Sequence, residues 1–159
     1  NTKLYNKMKI ANILVIFTLF ISTSCGYKPI YIKNDKLFLE FKNINIVGDK
    51  RINRQIIKIV GLKEKKDSFS ENDLTLKTNF EIKETSKNSK GQIETYRSIL
   101  KIELIIKKDD KIISSKNFLN EFSYNNRNNK FELSQYQNEI KNNLINKSSE
   151  EILLFLNLS

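Results

Sequence analysis

Tyr96-Arg97-Ser98-Ile99-Leu100-Lys101-Ile102-Glu103-Leu104-Ile105-Ile106-Lys107 is the stretch on which the fold turns. Tyr96, Leu100, Ile102, Leu104 and Ile106 recur in near alternation, and Ile99 and Ile105 point the other way. A period of two is that of a strand. The segment before it, Leu74–Glu84, repeats the pattern: Leu74, Leu76, Phe80 and Ile82 on one side, Lys77, Glu81 and Lys83 on the other. The segment after it, Lys111–Tyr124, puts Ile112, Phe118, Phe122 and Tyr124 on one side. Asp109-Asp110 suits a tight hairpin turn between the last two strands. Thr85 to Ile93, with Ser86, Lys87, Asn88, Ser89, Lys90 and Gly91, reads as a longer polar hairpin tip.

Working outward, Leu37 to Val47 alternates loosely and reads as another strand. Gly48-Asp49 is a turn and helix cap. From Lys50 to Val60, Ile52, Ile56, Ile59 and Val60 share a helical face, and Gly61 is placed to end the helix. Leu62 to Asn72 reads as a charged loop. Beyond the Asn-rich link from Tyr124 to Lys130 the period becomes helical: Tyr136, Ile140, Leu144, Ser148, Ile152 and Leu156 recur every four residues, widened by Phe131, Leu133, Ile145, Leu153 and Phe155. Ser148-Ser149-Glu150-Glu151 also has the form of a cap that restarts a helix. One long helix is favoured, because the stripe keeps its phase across it. The order is β-α-β-β-β-α. That is an α+β domain over residues 36–159: a four-stranded, mostly antiparallel sheet with two helices packed on it.

The first 35 residues have another character. Lys3, Lys7 and Lys9 precede a run from Ile10 to Ile21 in which only Asn12 and Thr18 are polar. Ser22, Thr23 and Ser24 follow, then Cys25, the one cysteine of the chain. The run is short of the roughly 20 residues of a spanning helix. Basic flank, brief apolar core and small residues are the layout of a secretory signal over residues 1–24. Residues 25–35 then form an extended tether, Pro29 holding Lys28 out of the helical region.

Beyond residue 24, 135 residues and a charge of +7 remain, enough for one domain with a real core. A positive surface suits acidic lipid or sugar phosphates; an exported protein does not routinely meet nucleic acid. Heavy use of Lys, Asn and Ile also has the stamp of an AT-rich genome. One cysteine allows no internal disulfide. The chain contains no His, the commonest general base and metal ligand. Gly26, Gly48, Gly61 and Gly91 are too scattered for a phosphate loop, and no carboxylates or serines stand at the spacing of a site. No cofactor or metal is implied. The residues point to a binding or assembly protein and away from an enzyme.

A cysteine after small residues at the end of a signal resembles the lipobox of bacterial lipoproteins, with Ser22 where that family usually has Leu. The resemblance implies cleavage before Cys25 and acylation there, and two or more acyl chains anchor a protein stably at about 0.8 kcal/mol per buried methylene. A buried free cysteine beside an uncleaved anchor is the plainer alternative. Cys25-Gly26-Tyr27-Lys28-Pro29-Ile30-Tyr31 further resembles the start of the LPS-assembly lipoproteins, the LptE family. So do Tyr96-Arg97 opening one strand, Phe122-Ser123-Tyr124 closing the next, and the long terminal helix. The resemblance implies a lipoprotein of the outer membrane, periplasm-facing and held by the lipid on Cys25. It would plug an LptD-like β-barrel and help deliver lipopolysaccharide. Gly26 fits outer-membrane sorting. Lipopolysaccharide contact maps loosely onto Lys87, Lys90 and Arg97, cations suited to phosphates and carboxylates. A Lys-rich tip is also ordinary for a solvated turn, and a cross-strand ion pair is the commoner role for a strand Arg97.

A plug predicts an uncharged flank and a free edge strand. The competing reading is a stand-alone periplasmic ligand-binding or chaperone lipoprotein. It predicts an apolar pocket between sheet and helices, which Ile99–Ile105 could line.

Overall fold

The computed structural model describes residues 39–65 and 71–158. The signal, Cys25 and the tether lie outside the described residues. The elements are β1 (Leu39–Phe41), β2 (Asn43–Gly48), α1 (Lys50–Val60), β3 (Leu62–Glu64), β4 (Asn72–Lys87), β5 (Ile93–Lys108), β6 (Lys111–Asn125) and α2 (Lys130–Leu158). The main sheet has the order β2-β4-β5-β6, parallel between β2 and β4 and antiparallel elsewhere. An α+β domain with two helices and a four-stranded sheet is the architecture the periodicities imply.

Asp109 and Asp110 both take positive φ, 47° and 62°. That is the pattern of a two-residue hairpin turn whose twist matches its strands. Asp49 caps α1, its Oδ1 accepting from the backbone N–H of Arg51 at 2.9 Å and Ile52 at 3.1 Å. Gly61 ends the helix in the left-handed region at φ 81°, its N–H donating to the Ile57 carbonyl at 3.0 Å. Both boundaries stand where the residue types put them.

One side of the sheet meets both helices. Leu74, Leu76, Leu100, Ile102 and Leu104 lie against Ile52, Ile56 and Val60 of α1 and Ile140, Leu144, Ile145 and Ile152 of α2, all buried. α2 is unbroken. Ser149 donates back to the Ile145 carbonyl at 2.8 Å instead of capping a new helix. Ser148 Oγ accepts from Asn120 Nδ2 at 2.9 Å, and the same amide donates to Glu151 Oε2 at 2.9 Å. Ser148 and Glu151 therefore dock this helical turn to the sheet through the Asn120 amide.

Several details differ from the sequence expectation. The strand over 37–47 is interrupted at Lys42, so that β1 pairs in parallel with β3 in a separate two-stranded sheet while β2 joins the main one. Phe41 and Leu62 are both buried there, which draws Leu62–Glu64 out of the expected loop. On α1, Ile59 is exposed and Asn53 is buried in the face instead, its Nδ2 donating to the Val47 carbonyl at 2.9 Å. A register shift between Ile106 and Lys107 sets Ile112 opposite Lys107, out of phase with Phe118. Phe122 keeps its phase yet lies half-exposed at the sheet edge, Asn120 taking the buried place, and Phe131 is exposed.

Candidate functional site at the hairpin end of the sheet

Two short loops meet where β4, β5 and β6 end together. The strands run further into the first hairpin than expected, so its turn is only Asn88 to Gln92. Asn88 organises it. Its Oδ1 accepts from the N–H of Lys90 at 3.0 Å and of Gln92 at 2.9 Å, while its Nδ2 donates to Gln92 Oε1 at 3.0 Å. The loop after β6 is tied to the same hairpin. Asn126 N–H donates to the Glu94 carbonyl at 2.7 Å and its Nδ2 to the Ile93 carbonyl at 2.8 Å. Asn129 then caps α2, Oδ1 accepting from Phe131 N–H at 2.9 Å.

Between these loops lies a polar groove of about 910 Å³, lined by Gln92, Glu94, Tyr96, Asn125, Arg127, Asn128, Lys130 and neighbours. Tyr rings brace it. Tyr96 stacks on Tyr124 with centroids 5.8 Å apart, and Tyr124 meets Tyr136 edge-on at 5.7 Å. The Arg127 guanidinium sits 4.1 Å over the Tyr136 ring.

The three cations expected to act together do not converge. Lys87 ends β4 and pairs with Glu84 at 3.4 Å. Lys90 is exposed in the turn, with no acidic partner among the described residues. Arg97 belongs to the other face, where its Nε donates to Ser123 Oγ at 3.0 Å and its guanidinium approaches Glu121 at 3.4 Å. This is a cross-strand pair of the ordinary kind. The sequence marks these amide residues as a link and not as lining, and their density directly after Tyr124 is the one signal of a wall.

The helix-free face of the sheet is charged and mutually paired. Lys77 meets Glu103 at 3.0 Å, and Glu81 meets both Lys83 and Lys101 at 3.4 Å. Burial pulls the Glu81 carboxyl up, but the two ammonium groups outweigh it and hold it below the usual carboxylate range. Ile99 and Ile105 are buried under these long side chains. That face is not the uncharged flank a plug was expected to show.

The β6 edge is different. Among the described residues it pairs only with β5, and Ile112, Ile113, Leu119 and Phe122 on it are 61%, 55%, 61% and 48% exposed. Beside it a groove of about 250 Å³ runs between Phe122 and the α2 residues Tyr136, Ile140 and Leu144.

This arrangement of sheet and helices has solved counterparts. Rare lipoprotein B from Shewanella oneidensis superposes with a TM-score of 0.54 at 13% identity, over 72% of this chain and 92% of that one. A minor lipoprotein from Acinetobacter baumannii gives 0.53 at 11% identity, over 74% and 89%. Lipoprotein B from Nitrosomonas europaea gives 0.50 at 10% identity, over 74% and 85%. The chain has the fold of these bacterial lipoproteins. At such identities the likeness is one of fold alone. No protein-family model and no curated protein sequence matches the chain.

Proposed function

We propose that the chain is an outer-membrane lipoprotein, anchored through Cys25 and facing the periplasm, that partners an LptD-like β-barrel in lipopolysaccharide assembly. The observation that carries the reading is the β6 edge. A 15-residue strand whose outer edge is unpaired among the described residues, with four exposed apolar side chains, is what monomeric proteins guard against, and a partner's wall would cover it. The signal-and-cysteine pattern and the lipoprotein fold support the same reading. So does the close-packed interior: Ile56, Leu74, Leu100 and Ile145 are wholly buried, and the grooves lie at the surface. The carrier alternative needs its space where these residues pack. Lys90 is the cation freest to meet a lipopolysaccharide phosphate, with Lys87 shared with Glu84 and Arg97 already engaged.

Affinity capture of the tagged full-length protein from outer membranes tests the reading. A large β-barrel protein in near-stoichiometric amount is expected. A lipidated chain captured without one would leave a solitary envelope binder.

A further inference from the structure

We propose that the groove between the Asn88–Gln92 turn and the loop after β6 is a binding site for a neutral oligosaccharide, a function separate from any barrel partnership. The lining chemistry points to sugar hydroxyls. A carboxamide offers two donors and an acceptor in one plane without charge, which matches vicinal hydroxyls that both give and take hydrogen bonds. Asn125 and Asn128 line the groove with side-chain amides that have no partner among the described residues. Arg127 has no acidic partner there either; stacked on Tyr136, its N–H groups are held in place and left over for acceptors. Tyr96 adds a partly exposed ring, braced by Tyr124, to the wall, a surface against which the C–H face of a pyranose packs.

Charge argues for a neutral ligand. The lining holds Arg127 and Lys130 with Glu94, a net charge of only +1, whereas a phosphate cradle needs converging cations. The volume, about 910 Å³, stands at the upper end for small-ligand sites. The site is also pre-set. Asn88 fixes one wall, and Asn126 ties the other to the Ile93 and Glu94 carbonyls, so little loop ordering remains to oppose binding. In this groove Asn88 and Asn126 serve the backbone, Gln92 accepts from Asn88, and the Asn125 and Asn128 amides have no partner among the described residues.

The sugar could belong to a glycolipid or to cell-wall material, and the chemistry is shared. The test titrates full-length protein in detergent with a panel of neutral oligosaccharides of glucose, galactose, mannose and N-acetylglucosamine, followed by calorimetry. In parallel it compares lipopolysaccharide carrying a full sugar chain, lipopolysaccharide cut back to its phosphorylated lipid end, and cell-wall glycan fragments. At least one panel member should bind saturably, and Asn125→Ala with Asn128→Ala should weaken it about tenfold or more without moving the melting temperature. Lys87→Ala with Lys90→Ala should leave it unchanged. Preference for full-chain over truncated lipopolysaccharide assigns the sugar to a glycolipid; binding of cell-wall fragments instead assigns it there. Absence of saturable binding across the panel overturns the proposal, as does equal weakening by the lysine pair. Neither result bears on whether a barrel is captured.

Discussion

Gly48→Ala should destabilise the domain by about 3 kcal/mol or more, lowering the melting temperature by roughly 10 °C. Gly48 ends β2 at φ +85°, a conformation that costs an L-residue about 1–2 kcal/mol. A Cβ there would also fall 1.9 Å from the Thr78 carbonyl oxygen, a backbone atom that cannot swing aside. Relief requires β2 to move off β4. That move would disrupt the Gly48–Thr78 pairing, the Asp49 N–H to Thr78 carbonyl bond at 3.3 Å, and the Thr78 hydroxyl bond to the Asp49 carbonyl at 3.3 Å. Because Asp49 is the α1 cap, strand edge and helix start would loosen together. Gly61→Ala is the control: its φ is +81°, but among the described residues nothing lies within 4 Å of an added Cβ. It should cost only about 1 kcal/mol. Thermal melts of the two variants side by side check the argument, and equal losses would show that the contact with Thr78 is not what matters.

Ile113→Lys combined with Leu119→Lys should reduce capture of a β-barrel partner by more than about tenfold while leaving the domain folded. Both side chains are more than half exposed on β6, so their replacement should move stability by no more than about 0.5 kcal/mol. Lysine is also the residue with which natural sheets deter edge contacts. In a buried interface each ammonium would lose its hydration without a partner, a penalty that far outweighs the small cost to the free domain. Ile59→Lys, on the exposed side of α1, serves as the matched control and should leave capture intact. Unchanged capture by the β6 pair would remove the edge from the interface.

Legibility followed the range of the interactions. The three long strands and α2 were plain because each repeats its period over many residues, and the Asp109-Asp110 turn, the Asp49 cap and the Gly61 stop were plain because each is a local demand on one or two residues. What escaped notice depended on distant partners. β3 is three residues whose pairing with β1 lies 23 positions away, from Leu39 to Leu62, and no local pattern announces it. Ile112 lost its phase to a single bulge. Asn53 and Asn120 entered the core because the Val47 carbonyl and Ser148 awaited them, which periodicity scores as polar and therefore outside. The site was less legible still. Lys87, Lys90 and Arg97 are neighbours in sequence, but the strand's alternation sends Arg97 to the other face. The amide groove is assembled from two loops more than 30 residues apart, joined by the bond from Asn126 to Ile93.

A photo-reactive residue placed at Leu119 probes the proposed contact of β6 with an outer-membrane barrel on the strand itself. Irradiation of living cells should join the protein to one large β-barrel protein of the outer membrane, and the same residue placed at Ile59 should give no such adduct. No barrel adduct from Leu119, or one from Ile59 alone, would take β6 out of any contact with the barrel.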